Sequence, residues 1–285
     1  MTGLILLDKP AGQSSFSALG NVKRVLGTRK VGHAGTLDPF ATGLLVALSG
    51  RLTRLVPLMT ALDKEYVAVV RTGEETDTLD PEGEVVARAD VPGIEALARA
   101  AGAFRGEIEQ VPPAYSAVKI DGRRAYARAR SGEAPLMPSR RVTVHSLDIL
   151  DWKAPDLTVR VRCSKGTYVR SLARDIAAAA GSRGYCVSLR RTAVGPFRVD
   201  EAVTPADFGP DRLLGPAAAL ERLGVPVRTV GSDLAAALRT GKPCGAVLGP
   251  PEAGEGEVLW TDGTGAAAAL TAATDGRRRY AIVFE

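Results

Sequence analysis

The chemistry of this sequence starts at Asp38. It lies in Lys30-Val31-Gly32-His33-Ala34-Gly35-Thr36-Leu37-Asp38-Pro39-Phe40-Ala41-Thr42-Gly43, between a helical pattern and the apolar run Leu44-Leu45-Val46-Ala47-Leu48. Glycine tolerates positive φ and lets another chain approach its backbone, while proline fixes its own φ and drives the preceding residue towards an extended conformation. Asp38 is therefore expected on a shaped loop outside any helix. The plain alternative is an Asx-capped turn; three glycines and a histidine in the same loop weaken that reading. Few other groups offer chemistry. There are two histidines, His33 and His145, and three widely spaced cysteines, Cys163, Cys186 and Cys244, with no CxxC pair. These point to neither a zinc site nor a disulfide framework, and the cysteines read as reduced packing residues. There is no GxxxxGK[ST] loop and no persuasive dinucleotide fingerprint. The acidic loop Glu74, Glu75, Asp77, Asp80, Glu82 lacks calcium-loop spacing and reads as solvated or RNA-facing. The expected chemistry uses side chains alone, without cofactor or metal.

Gly32-His33-Ala34-Gly35-Thr36-Leu37-Asp38-Pro39-Phe40-Ala41-Thr42-Gly43 resembles the motif that carries the aspartate of the TruB family, enzymes that make pseudouridine at uridine 55 in the T loop of transfer RNA. The opening G-L-I-L-L-D-K-P-A-G-Q-S-S, G-E-E-T-D-T-L-D-P-E-G (73–83), C-S-K-G-T-Y-V-R-S-L-A-R-D-I (163–176) and L-R-R-T-A-V-G-P-F (189–197) are similar to further family blocks. The resemblance implies that Asp38 is the nucleophile, that Arg170 pairs with it, and that Tyr66 lies in the active cleft. It also implies that Tyr168 and Leu189 line the pocket and that His33 lies against the opened RNA loop. On the residues alone, Tyr66 is equally a strand-start tyrosine with a wet hydroxyl, and Leu189 a core leucine.

The implied reaction breaks the N1–C1′ glycosidic bond of uridine, turns the base and joins C5 to C1′. The nucleotide must first be everted, which costs a few kcal/mol. Asp38 must be ionised, and in a dry pocket that requires a positive neighbour to hold its pKa down. Attack on C1′, attack on C6 and proton abstraction remain alternatives for the aspartate. Two other functions stay open: a non-catalytic RNA-binding or RNA-folding protein, and a glycosylase that would release free uracil.

Several elements must position these groups. Leu4–Leu7 reads as a buried strand and not as a signal peptide, and no apolar run reaches membrane-spanning length; a cytoplasmic protein is expected. Ser14-Ser15 caps a helix over 16–26, with Phe16, Leu19, Val22 and Leu26 on one face. A strand follows Lys64-Glu65-Tyr66, and a helix runs from Ile94 to Phe104. Strands are expected at 141–144, where His145 closes the strand as a structural residue, at 157–163 and within 185–197, around Leu189. A helix follows Tyr168 to about Ala180. The 285-residue chain carries a net +5, and Pro112–Val142 alone carries the same excess: Lys119, Arg123, Arg124, Arg128, Arg130, Arg140 and Arg141 against Asp121 and Glu133. Basic side chains interleaved with tyrosines suit phosphate contact and base stacking. Q-V-P-P-A-Y-S-A-V-K-I-D-G-R-R-A-Y is similar to the family's mobile thumb, so 110–142 is expected to bind RNA through Lys119, Arg123, Arg124 and Arg128.

A boundary is expected near Leu223-Gly224-Val225-Pro226. Beyond it come a short helix at 233–239 and strands at 245–249, 257–262, 266–273 and 279–284. The fold expected from the resemblance is α+β: a pseudouridine synthase domain at 1–224 around a mixed, largely antiparallel sheet, and a PUA-like β-barrel at 225–285. The tail carries six basic and seven acidic residues, which argues against strong RNA affinity there and leaves a simple packing unit as the alternative. The expected partner is tRNA, with no membrane and a monomeric state.

Overall fold

An unbroken apolar strand has two greasy faces, so both must be covered. Leu4–Leu7 and Leu44–Leu48 are such runs, and in the structure, a computed structural model, they sit side by side. Residues 1–116 and 137–284 are described, together with the backbone of 119–120 and 123–124. Strand β1 (Gly3–Lys9) leads to helix α1 (Leu19–Val25), β2 (Val31–His33), β3 (Thr42–Ser49), α2 (Val56–Ala61) and β4 (Lys64–Thr72). Then come β5 (Glu74–Thr76), β6 (Val85–Arg88), α3 (Ile94–Ala103), β7 (Gly106–Gln110), β8 (Lys119–Ile120) and β9 (Arg123–Arg124). The part that carries the large sheet closes with β10 (Arg140–Lys153), β11 (Asp156–Cys163), α4 (Val169–Ala179), β12 (Gly184–Val194), β13 (Phe197–Arg198) and α5 (Pro216–Glu221). The tail holds β14 (Val227–Thr229), α6 (Ser232–Arg239), α7 (Cys244–Leu248), β15 (Glu257–Thr261), β16 (Ala267–Thr274) and β17 (Arg277–Val283).

The large sheet runs β1-β3-β12-β4-β11-β10-β7, with β2 on β3 and β13 on β12. Every pairing is antiparallel except β3 with β12, where Thr42 and Gly43 lie parallel beside Arg190 and Arg191. The mixed, largely antiparallel sheet is the expected one. Alternation along β1 and β3 sends their side chains into two cores. Ile5, Leu7, Leu45 and Ala47 join Leu19, Val22, Val159, Leu172 and Ile176 on the face covered by α1, α3 and α4. Leu4, Leu6, Leu44, Val46 and Leu48 join Phe197, Leu220, Leu259, Leu270 and Ile282 on the other. That second cluster runs from β1 and β3 through α5 to β15, β16 and β17 of the tail. Its own sheet, β14-β15-β16-β17, is antiparallel apart from β14 with β15 and is consistent with a PUA-like unit.

Several local expectations change. The segment 245–249 is not a strand but lies in α7 and the residue after it; a five-residue apolar run carries no period of its own, and here Val247 and Leu248 pack against the tail core. Phe16 is exposed and precedes α1, which starts at Leu19 after a turn closed by Ser17 N–H on Ser14 Oγ at 3.0 Å. In α3 the buried face is Leu97, Ala100 and Ala101, and Ile94 is exposed. His145 falls inside β10, beside a bulge, with Nε2 3.1 Å from Asp63 Oδ2. Ala267–Ala269 lie in β16, within the strand expected at 266–273. All three cysteines are free and buried. Among the described residues, no helix is long and apolar enough to cross a membrane.

Candidate active site

Asp38 occupies an irregular loop between β2 and β3, and three ties hold that loop against the N-terminus. Lys9, fully buried, donates from Nζ to the carbonyls of Pro10 (2.8 Å), Gln13 (2.7 Å) and Pro39 (3.2 Å). Gly12 N–H donates to Pro39 O at 2.8 Å. Ser15 Oγ donates to Leu37 O and accepts from Leu37 N–H, at 3.0 and 2.8 Å. At the loop's far end Gly43, at φ +100°, passes so close to β12 that a Cβ would stand 2.3 Å from Arg191 O. No other residue fits there.

Arg170 reaches the loop from the first turn of α4. That turn is anchored by Gln110 at the end of β7. Its Nε2 donates to Tyr168 O at 3.1 Å and its Oε1 accepts from Tyr168 N–H at 2.8 Å, so one side-chain amide satisfies both polar groups of the residue before the helix. The Arg170 side chain is 4% exposed. Its Nη1 donates to Thr78 O and Asp80 Oδ2, both at 2.8 Å, and its Nη2 to Tyr115 O at 2.9 Å. Nε stands 3.0 Å from Asp38 Oδ2, an ion pair whose N–H is not aligned on that oxygen. The expected partnership of Asp38 and Arg170 is present, but the guanidinium is shared between two carboxylates.

Asp80 is the second carboxylate, and it is buried rather than solvated. Besides Arg170 it accepts from Thr78 Oγ1 at 2.6 Å and Glu82 N–H at 3.1 Å. Its neighbours in the loop are also occupied. Glu75 faces Arg183 and Glu74 faces Arg88, while Asp77 accepts from Glu84 N–H and the Tyr115 hydroxyl. Among the described residues no group of three or more acidic, His or Cys side chains could hold a metal.

Burial, more than the sharing, sets the direction in which the Asp38 pKa moves. Its carboxylate is 36% exposed, open to the cleft and enclosed elsewhere. Burial raises its pKa above the ordinary 3.8, and the charge of Asp80 adds to the rise. Arg170 and then Lys9 pull it down, but the net direction is up. The expectation that the arginine holds the carboxyl down is thus only half right: Arg170 limits a rise that burial imposes. Asp80→Asn is expected to lower kcat about 10- to 100-fold by loosening Arg170. It is also expected to move the acid limb of the pH profile to lower pH, because a negative charge that raises Asp38 is gone. The rate and its pH profile in the variant check both.

A cleft of about 310 Å³ opens beside this pair. Asp38, Tyr66, Tyr168, Arg170 and Leu189 line it, with Lys64, Ser116 and Arg191. Tyr66, third residue of β4, is buried with its phenol pKa raised, so the wet strand-start alternative does not hold. Leu189 is buried on β12 opposite Ala68 and lines the cleft at the same time. Tyr168 lies with the Arg140 guanidinium 5.3 Å from its ring centre. His33, half-buried on β2, is not among the lining residues. Its Nδ1 is buried without a hydrogen-bond partner, and burial and Arg191 push its pKa down, so the ring is neutral at neutral pH. The side chains of Lys119, Arg123 and Arg124, and all of Arg128, lie outside the described residues.

Three cations around the Asp38 loop and the cleft escaped the sequence reading. Arg191, 1% exposed, donates to Leu44 O at 2.7 Å and to Gly35 O at 3.0 Å, locking the Asp38 loop to β12 beneath Tyr66. Strand alternation could have found it, since residues 189 and 191 share a face. Lys64 donates to Thr60 O and Leu62 O, and burial pushes its pKa down to about 8. Lys9 lies in a block of family resemblance, but nothing local marks it as buried.

Residues 23–169 match the family described as TruB family pseudouridylate synthase (N terminal domain). A protein named tRNA pseudouridine synthase B from Leifsonia xyli subsp. xyli (strain CTCB07) is 49% identical over 225 residues, covering 76% of this chain and 74% of that one. One of the same name from Arthrobacter sp. (strain FB24) is 41% identical over 263 residues, covering 89% and 86%. The chain belongs to the TruB family. TruB membership fits the structural likenesses. The archaeal box H/ACA sRNP Nop10-Cbf5 complex contains a chain that superposes with TM-score 0.67 at 25% identity, over 99% of this chain and 85% of that one. A chain of a Cbf5-Nop10-Gar1 complex gives 0.67 at 24% identity, with 99% and 84% coverage, and shows the common fold.

Proposed function

We propose that this TruB family member isomerises uridine 55 in the T loop of tRNA to pseudouridine, with Asp38 as the reacting carboxylate. The observation that carries the reading is the ion pair of Asp38 and Arg170, 3.0 Å apart at one wall of a cleft whose other walls are Tyr66, Tyr168 and Leu189. The everted uracil stacks against Tyr66, which offsets part of the eversion cost at about 1–3 kcal/mol per base, while Leu189 seals the apolar side. N1–C1′ breaks, C5–C1′ forms, the C5 proton leaves and N1 takes one up, so nothing is added or removed. Tyr66, kept protonated by burial, is the group placed to carry a proton. His33, neutral and outside the cleft lining, contacts the RNA strand from which the nucleotide has been taken. The thumb, with Lys119, Arg123, Arg124 and Arg128, closes over the phosphates.

The division of labour follows the two sheets. Residues 1–224 carry the chemistry, and 225–285 form a PUA-like appendage. The enzyme acts as a monomer in the cytoplasm, where its tRNA is. Incubation with unmodified tRNA transcript followed by nucleoside analysis tests the reading: one pseudouridine per tRNA at position 55 is expected. Free uracil would mean a glycosylase, and bound but unchanged RNA a binding protein.

A further inference from the structure

The thumb is not the only strongly basic stretch. Residues 9–37 contain Lys9, Lys23, Arg24, Arg29 and Lys30, and no acidic residue at all. Lys9 is buried in the loop ties described above; of the other four, Arg24, Arg29 and Lys30 are exposed and Lys23 is half-buried. They are brought together at the end of α1, where Thr28 N–H donates to Lys23 O at 3.1 Å and folds the 26–30 loop back on the helix. Arg24 donates to the neutral Asn21 side chain, and among the described residues none of the four forms an ion pair with a carboxylate. Favourable contact with the carbonyl end of α1 accounts for Lys23 and Arg24 in its last turn. It accounts for neither Arg29 and Lys30 nor the aromatic beside them.

That aromatic is Phe16. At 71% it is more exposed than any other large apolar side chain among the described residues. The Lys23 ammonium lies 4.1 Å from its ring centre, leaving the ring solvent-facing with a cation at hand. Its position is also fixed relative to the reaction centre. Ser15, the preceding residue, is bonded in both directions to the backbone of Leu37, which precedes Asp38. An exposed ring, a cation against it and further unopposed cations are the parts from which sequence-tolerant RNA contacts are built.

We propose that Phe16, Lys23, Arg24, Arg29 and Lys30 form a second RNA-contact surface outside the catalytic cleft. An unpaired base of the substrate stacks on Phe16, and the four cations take the flanking phosphates. The inference rests on the substrate being RNA, as proposed above.

The test uses the full-length protein and unmodified tRNA transcript, with equilibrium binding measured over a range of KCl concentrations and pseudouridine formation measured at saturating tRNA. Phe16→Ala is expected to weaken binding about tenfold, Phe16→Trp to bind as the parent does, and both to keep the parent's saturated rate. The quadruple variant K23Q/R24Q/R29Q/K30Q is expected to flatten the slope of log affinity against log salt by about 2–3. Parental affinity of Phe16→Ala, equal losses in the Ala and Trp variants, or an unchanged salt slope would each overturn the proposal. Thermal melts of the variants matching the parent exclude misfolding as the cause of a loss. Failure of the wider reading shows itself separately, as absence of pseudouridine from the parent's own reaction.

Discussion

Asp38→Asn is expected to lower pseudouridine formation by at least about 10⁴-fold, with tRNA affinity nearly unchanged and the melting temperature slightly raised. The first effect follows from deleting the carboxylate while keeping its shape. The last follows from linkage. Burial raises the Asp38 carboxyl above its ordinary value, so the folded state favours the protonated form. Between the unfolded and folded pKa values the folded protein holds more protons, and stability falls as pH rises through that window. Above it the deficit is complete, so at neutral pH the ionised carboxylate is a burden on the fold. Asparagine removes that burden while Arg170 keeps Asp80. Discounted for the water that reaches a carboxylate 36% exposed, the gain is about 2 °C. Single-turnover assays and thermal melts at pH 7 and below pH 4 check it; the gain should vanish at the lower pH. A variant that still converts tRNA fully would remove Asp38 from the chemistry.

Arg170→Lys is expected to be nearly as damaging to turnover, at about 10³-fold or more, although the charge is kept. The guanidinium serves Thr78 O, Asp80, Tyr115 O and Asp38 from one planar fork. A single ammonium on a linear stem cannot span those four directions. Replacement by Met goes further and leaves Asp80 buried beside Asp38 with no compensating cation, at a cost of about 3–5 kcal/mol of stability. Losing the arginine's pull also raises Asp38 further, so whatever activity survives should have its acid limb at higher pH. Urea unfolding and the pH profile are the measurements, and a lysine variant as fast as the parent would count against the assigned role.

These two residues were legible because each sits in a long block of unusual residue types: glycines and Asp-Pro around Asp38, and Lys-Gly-Thr-Tyr before Arg170. The central sheet was legible for a different reason, the unbroken apolar runs of β1 and β3 and the alternation of β4 and β11. Asp80 was misread because burial is not a local property. Its loop is acidic and polar, and only Arg170, 90 positions later, makes the interior tolerable for it. Arg191 was hidden in plain view, two residues from Leu189 on one face of β12. Segment 245–249 was assigned the wrong structure because five apolar residues fit a strand and a helix turn equally well, and Pro243 and the packing of Val247 decide for the helix.

The two faces of β1 have a consequence for how the molecule comes into being. Leu4 leaves the ribosome long before Leu259, Leu270 and Ile282, which belong to the same cluster. Until those residues follow, the nascent chain carries that cluster incomplete. Sequence-distant closure of this kind is slow and exposes sticky surface meanwhile. The molecule that matures RNA must therefore itself pass through a vulnerable adolescence, and the arrival of β15, β16 and β17 ends it.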